Sequence, residues 1–430
     1  MSAALYHVVT LGCKLNQYDS AAIEADLASS GMVRTEDPAR ARVVVVNTCT
    51  VTAAADAQSR QTVRRIRRAN PGCTLIVTGC YAQRDPEALK AIPGVSAVVG
   101  LSEQRGIRSL ALKLSPDVAA DPACIESAED PLPCFSDRTR AFLKIQEGCD
   151  LRCSYCVIPS VRGASRSIDP ELVLKKIGLL VDAGYQEIVL TGVNTGDYGK
   201  DLEPRTSLAA LLRRAAEIPR LGRLRLNSVE PRCVTPELVE TLASSARIAP
   251  HLQIPLQSGS DSVLARMRRP YRVAHYRLAL ESMRARIPQA GLGADVIVGF
   301  PGETRQEFQE TRDFIVASEL NYLHVFSYSS RPGTPAAEMA DPIRGDLVRE
   351  RSAELRALAA ELSLRFRSSF LGRDLEALGL RESLPDGRLR ALSGNFIELA
   401  VEGAPEHAVN RLFRAKVTRV QANEVSAVPS

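Results

Sequence analysis

The chain lacks any uninterrupted apolar run of the roughly 18 residues that a membrane span requires. Its first residues, Met1-Ser-Ala-Ala-Leu-Tyr, lack the basic segment that opens a secretory signal and read instead as the approach to a first strand. A cytoplasmic location with no membrane partner is therefore expected. Lysine is scarce, at eight of 55 basic residues, the rest being arginine. So strong a bias can follow from genome composition alone, and arginine runs by themselves do not argue for nucleic-acid binding. A net charge of +5 and a pI near 8.7 permit a polyanionic partner without demanding one. No internal repeat or low-complexity tract is present. Cysteine is plentiful, with ten residues, and in a cytoplasmic chain such a count points to metal binding or catalysis, not to disulfides.

At 430 residues, with 45% hydrophobic and 24% charged, the chain is long enough for two or three domains. Short β-branched runs at 6–11, 43–46 and 75–77 read as buried parallel strands. Helical stretches at 19–30 and 52–69 separate them, which predicts an open α/β sheet of Rossmann or flavodoxin type. Residues 116–134 hold Pro116, Pro122, Pro131 and Pro133 among Asp and Ala and read as a linker. A second α/β region follows, with strands expected at 141–146, 187–190, 224–227, 252–255, 294–298 and 323–326. Six β/α units fall short of the eight in a closed barrel, so a partial (β/α)6 barrel is predicted. A long Arg/Glu/Leu-rich helix is expected over 344–370. Four short strands at 375–378, 389–392, 396–401 and 412–420 then predict a small carboxy-terminal β-barrel.

Two cysteine triads stand out. Cys149-Asp-Leu-Arg-Cys153-Ser-Tyr-Cys156 follows directly on a strand. Three thiolates on one tight loop can grip three irons of a cubane, leaving the fourth open to a substrate. A zinc knuckle is the competing reading, but zinc sites usually use two separated Cys pairs, and no second close pair exists here. The second triad is scattered. Cys13, Cys49 and Cys80 each sit immediately past an expected strand, and the carboxyl ends of parallel strands converge on one edge where ligands bind. One such cysteine would be an ordinary buried residue; three at the same structural position form a three-coordinate metal site. Cys73, Cys124, Cys134 and Cys233 are assigned no function.

Cys149 to Cys156 matches the CxxxCxΦC signature of radical S-adenosylmethionine enzymes, with Tyr155 at the aromatic position. The resemblance implies a [4Fe–4S] cluster whose open iron is chelated by S-adenosylmethionine, with Tyr155 against the cofactor's adenine. Together with the amino-terminal three-Cys domain and the terminal barrel, the chain resembles the methylthiotransferases over residues 4–425. Thr10-Leu-Gly-Cys-Lys-Leu-Asn-Gln17 and Asn47-Thr-Cys-Thr-Val-Thr52 are most similar to the MtaB branch, which acts on N6-threonylcarbamoyladenosine beside the anticodon. The isopentenyladenosine branch usually reads Gly-Cys-Gln-Met-Asn at the first string, and the ribosomal-protein branch Gly-Cys-Pro-Lys-Asn.

The resemblance implies two [4Fe–4S] clusters, one on Cys149, Cys153 and Cys156 and an auxiliary one on Cys13, Cys49 and Cys80. By analogy Gly192, Asn194, Ser228, Glu230 and Gln257, each at or near a strand end, are candidates for cofactor contact; strand-end Gly, Ser and Asn are also ordinary turn formers. Gln253 stands where family members often carry His, which weakens any proton-transfer role there. The implied domains are 1–115 with the auxiliary cluster, 135–366 as radical core, and 367–430 resembling the RNA-binding TRAM barrel. The implied partners are a tRNA anticodon stem-loop, a low-potential electron donor of flavodoxin or ferredoxin type, and a sulfur donor. Basic stretches at 60–68 and 266–272 could take RNA phosphates or be solvated faces. Carbon 2 of adenine offers acid–base catalysis neither an acidic proton nor a leaving group, so methylthio insertion there requires a radical. A sibling substrate and a non-catalytic, metal-stabilised RNA-binding protein are the alternatives.

Overall fold

Val43, Val44, Val45 and Val46 are fully buried, as a central strand covered by helices on both faces must be. The computed structural model, which describes residues 3–115 and 139–430, places this run in a five-stranded parallel sheet. Its strands are β1 (Leu5–Thr10), β2 (Val33–Arg34), β3 (Val43–Thr48), β4 (Thr74–Gly79) and β5 (Ala97–Val98), in the order β2-β1-β3-β4-β5. That is the flavodoxin-like order, with its topological switch between β1 and β3. The three long strands are those expected from the β-branched runs; β2 and β5 are not expected, since two residues carry no periodicity. The first helix also starts earlier than expected, at Lys14–Ser29. Its N-cap is Cys13, which makes no side-chain cap bond, so the usual start signal is missing. The second helix, Ala53–Ala69, begins where expected because the Thr52 side chain accepts from the Ala55 N–H.

The central region carries six parallel strands as predicted: β6 (Arg140–Lys144), β9 (Glu187–Thr191), β10 (Arg223–Leu226), β11 (His251–Gln253), β12 (Gly291–Val298) and β13 (Tyr322–Ser327). A small ribbon of β7 (Gln146–Glu147) and β8 (Arg166–Ser167) flanks the cysteine loop. Strands β6, β9 and β10 pair in one sheet and β11, β12 and β13 in another. Isolated bridges from Leu224 to Ile248 and from Ser228 to Gln253 join the two into one open barrel. Its helices are set by local chemistry. Asp169, Ser207, Thr235 and Thr304 each cap one, and Glu307 answers Thr304 to complete a capping box.

The helix Gly345–Ser368 leads to a closed barrel of β14 (Asp374–Ser383), β15 (Leu389–Ser393), β16 (Glu398–Val401), β17 (Leu412–Val420) and β18 (Val425–Pro429). The fifth strand, β18, went unread in the sequence, yet it supplies closure by pairing with both β16 and β17. This barrel plugs the amino-terminal end of the central one. Arg223 donates to the Leu392 and Glu376 carbonyls and Arg225 to those of Ser393 and Gly394. Glu187, fully buried, pairs with both arginines at 3.1 and 2.8 Å. The linker at 116–134, Cys124 and Cys134 lie outside the described residues. Among the described residues no helix is long and apolar enough to cross a membrane.

Candidate active site

The ends of β1, β3 and β4 are level, with Thr10 opposite Asn47 and Asn47 opposite Thr78. Cys13, Cys49 and Cys80 follow these ends and meet at one sheet edge, on both sides of the switch point. Gly12 has φ +97°, and a Cβ there would lie 2.8 Å from the Cys49 sulfur. Only glycine lets the two loops approach this closely. Asn16, fully buried, fastens them by donating to the carbonyls of Leu11 (2.7 Å) and Thr48 (3.0 Å). Cys13 is exposed while Cys49 and Cys80 are buried. Burial pushes the Cys80 thiol up to about 12, against the pull of Arg162, with Cys13 and Cys49 raising it further. Burial also raises Cys49, and Cys13 adds to it. The three sulfurs therefore lie within electrostatic reach of one another.

The second triad lies on the loop after β7. The Cys149 N–H donates to Gly163, and the Ser154 N–H donates to the Met267 carbonyl at 3.0 Å. Burial pushes Cys156 up to about 12, with Cys153 and Cys149 adding to the rise. Arg269, all but buried, donates to the Cys153 sulfur at 3.0 Å and pairs with Glu230. In the sequence Arg269 lies in a basic stretch expected to take RNA phosphates or form a solvated face. The structure turns it inward, and its neighbour Arg266 pairs with Glu307. Of the other basic helix, Arg64, Arg65 and Arg68 are exposed, whereas Arg60 hydrogen-bonds the Tyr81 hydroxyl.

Neither triad closes on a point. Among the described residues no three His, Cys, Asp or Glu side chains converge tightly enough to hold one metal ion. A cubane spreads its ligating sulfurs around four irons, so a triad built for it is wider than a mononuclear site. The donor chemistry fits such a group. A thiol held at about 12 becomes a thiolate at neutral pH only beside positive charge. Each triad also already has an arginine donor on one sulfur.

The expected cofactor contacts occupy the carboxyl-end mouth of the central barrel. The Asn194 N–H donates to Gln146 Oε1 (2.8 Å) and its Nδ2 to Asp197 (2.6 Å), while its buried Oδ1 has no partner. A Cβ on Gly192 would crowd the Gln146 carbonyl at 2.9 Å. The Ser228 carbonyl accepts from Thr195 Oγ1 at 2.5 Å. Glu230 and Asp197 both bear electrostatically on Cys149, so Asn194, Glu230 and the cysteine loop are brought together. Gln257 takes a left-handed backbone, φ 62°, and accepts from the Ile297 N–H. Tyr155 packs against the cluster of Val263, Met267, Phe300 and Ala336 beside the loop. Gln253 donates to Asp295 at 2.8 Å and lies 3.3 Å from His324 Nδ1. Cys233 packs on Gly196 near Asp197.

Three basic residues with no motif of their own, Arg162, Lys144 and Lys14, join the halves. Arg162, buried, donates to the Cys80 sulfur (3.3 Å), Asn16 (2.8 Å), Asp19 (3.1 Å) and Glu147 (2.6 Å). Lys144 pairs with Asp19 and Glu147 beside it. Lys14, next to Cys13, reaches into the central barrel and donates to Asn227 Oδ1 at 2.6 Å. Pairs this remote in sequence leave no local signal, although Arg162 follows the cysteine loop closely enough to mark it for attention.

Comparison with known proteins extends the picture. Residues 5–100 match the model of the uncharacterized protein family UPF0004, and residues 143–315 match the radical SAM superfamily. The chain is 39% identical to the threonylcarbamoyladenosine tRNA methylthiotransferase MtaB of Bacillus subtilis, over 97% of this chain and 94% of that protein. It is 36% identical to the tRNA-2-methylthio-N(6)-dimethylallyladenosine synthase of Acidothermus cellulolyticus, over 98% and 85% of the two chains. Among solved structures, the radical S-adenosylmethionine methyltransferase TsrM of Kitasatospora setae superposes with a TM-score of 0.56 at 17% identity, over 78% of this chain and 77% of that one. At that identity the likeness speaks for the fold.

Proposed function

Because this chain belongs to the radical SAM tRNA methylthiotransferases, close to the MtaB type, we propose that it inserts a methylthio group at carbon 2 of N6-threonylcarbamoyladenosine next to the tRNA anticodon. What supports the reading is the pair of cysteine triads, linked through the Arg162 contact with Cys80. We assign Cys149, Cys153 and Cys156 to one [4Fe–4S] cluster and Cys13, Cys49 and Cys80 to an auxiliary one. When bound, the clusters and S-adenosylmethionine supply the radical and the sulfur that an unactivated aromatic C–H position requires.

The chain's own residues position these groups and exclude water. Glu230 and the orphaned Asn194 Oδ1 suit the amino and hydroxyl donors of S-adenosylmethionine, with Gly192, Ser228 and Gln257 shaping the same mouth. Tyr155 offers an aromatic face beside the cysteine loop. Arg269 and Arg162 each hold one ligand sulfur by a charged donor, which steadies the thiolate form. We assign residues 1–115 to sulfur delivery, 116–134 to the linker, 135–366 to the radical core and 367–430 to a TRAM-like RNA-binding barrel. The anticodon loop is expected to splay its base into the mouth. A cytoplasmic electron donor of flavodoxin or ferredoxin type and a sulfur source complete the set.

Mass spectrometry of tRNA nucleosides from a deletion strain tests this. Methylthio-threonylcarbamoyladenosine should vanish and methylthio-isopentenyladenosine persist. The opposite loss would move the chain to the sibling substrate, which relatives at 34–37% identity carry in their names.

A further inference from the structure

Among the described residues, Lys14 in the lumen of the central barrel has no carboxylate partner. Lys14 stands at the first turn of its helix, and its ammonium crosses from the flavodoxin-like domain to Asn227, just past the end of β10. An ammonium has three donors; the Asn227 carbonyl takes one, and no carboxylate pairs with Lys14 among the described residues. The charges around it do not supply one. Arg140 and Arg225 face it with the same sign, and Glu187 and Asp295 with the opposite sign. Both carboxylates are already engaged, Glu187 by Arg223 and Arg225 and Asp295 by Gln253 and His324. Arg140 has a buried Nη1 with no hydrogen-bond partner, 3.7 Å from Glu187.

The lumen therefore carries unspent donors and an excess of positive charge. A desolvated cation in that state is costly until an anion meets it. Asn227, Asp295 and Tyr322 are half-buried and His324 exposed, so solvent reaches the lumen. We propose that Lys14 is the specificity-determining contact for a carboxylate on the substituent of the incoming base, with the Asn227 amide orienting it. This rests on the threonylcarbamoyl reading and gives that substituent a receptor. A prenyl group would leave the ammonium unpaired, and a site that loses a polar partner in this way rejects the wrong substrate strongly. The neighbouring Cys13 fixes the distance: the group that holds the substituent and a proposed sulfur-site ligand are consecutive residues.

The test measures equilibrium binding of synthetic anticodon stem-loops to the reconstituted holoenzyme under anaerobic conditions. The loops carry threonylcarbamoyladenosine, its carboxamide analogue, isopentenyladenosine or unmodified adenosine. Wild type should prefer the carboxylate over the carboxamide by on the order of tenfold to a hundredfold. Lys14→Met should erase that preference while leaving affinity for the unmodified loop in place, and Lys14→Arg should retain much of it. Iron content and far-UV circular dichroism establish that each variant is folded and loaded. If Lys14→Met kept the carboxylate preference, another group would read the anion and the proposal would be overturned alone. If wild type favoured isopentenyladenosine or showed no preference for the threonylcarbamoyl loop, the substrate reading would fall with it.

Discussion

Arg162 donates through Nε to the Cys80 sulfur at 3.3 Å, across the boundary between the flavodoxin-like sheet and the central barrel. The same guanidinium holds Asn16, the residue that ties the Cys13 loop to the end of β3. Asp19 and Glu147 balance its charge and are shared with Lys144, which pairs with both. Arg162 ends the short helix that follows the Cys149–Cys156 loop. A single side chain thus couples the placement of one triad to that of the other, and a planar fork is what allows four partners at once.

Hydrogen bonds to ligand sulfurs raise a cluster's potential, because they stabilise the more negative reduced state. Arg162→Gln is therefore expected to lower the potential of the auxiliary cluster and leave that of the Cys149 cluster unmoved. Redox titration followed by electron paramagnetic resonance checks both in one sample. Equal movement of the two, or of neither, would count against the role given to this contact.

The two proposed clusters draw on separate triads that follow strands of separate sheets, so their losses should separate. Cys49→Ala is expected to halve the iron, roughly, and to abolish methylthio product while 5′-deoxyadenosine still forms. Cys149→Ala should abolish 5′-deoxyadenosine and keep the other cluster. Iron, labile sulfide and nucleoside analysis on the two variants decide the matter. Normal product from Cys49→Ala would make the Cys13, Cys49 and Cys80 group merely structural.

How far the sequence carried these assignments depended on range. The long buried strands, the six β/α units and both triads were legible because each is a local pattern: a β-branched run, a strand followed by a cysteine, a tight CxxxCxxC. Strands β2 and β5 were not, since two residues have no period, and β18 was lost among turn residues at the chain's end. The contacts of Arg162 with Cys80, of Arg269 with Cys153 and of Lys14 with Asn227 span domains or distant loops. Their sequence trace is a charged residue near a cysteine, which in an arginine-rich chain means little until the fold closes. Arg269 was read as surface for the same reason: an arginine run has no face until its helix or loop is placed.

Gly12 offers a sharper probe of the auxiliary site than its cysteines. Its φ of +97° and the 2.8 Å approach of a Cβ to the Cys49 sulfur both exclude a side chain. Gly12→Ala should cost about 1–3 kcal/mol in strain and displace Cys13 from Cys49, so auxiliary iron is lost while the Cys149 cluster still loads. Iron stoichiometry set against a denaturant midpoint measures the two effects. Full iron content in Gly12→Ala would show that the loop tolerates a wider approach than the close contact implies.

The last expectation concerns how the terminal barrel is held. Burial alone would raise Glu187, but Arg225, Arg223 and Arg140 outweigh it and hold its carboxyl at about 2, below the ordinary 4.5. A carboxylate depressed in the folded state contributes stability above its unfolded value, and that contribution is lost as pH falls through the folded one. Stability should thus decline from about pH 4.5 toward pH 2 as this group takes up its proton. Glu187→Gln removes the charge at every pH, leaves Arg225 buried without its counter-ion and Arg223 with Glu376 alone, a loss of about 3–5 kcal/mol. Both arginines also donate to carbonyls of β15 and its turn, so hydrogen exchange at Leu392, Ser393 and Gly394 should quicken in the variant. Urea unfolding across the acid range compares the slopes: wild type should lose stability where Glu187→Gln, already lowered, changes less. Parallel slopes in the two proteins would mean that other carboxylates govern the acid limb and that Glu187 is not the group anchoring the barrel.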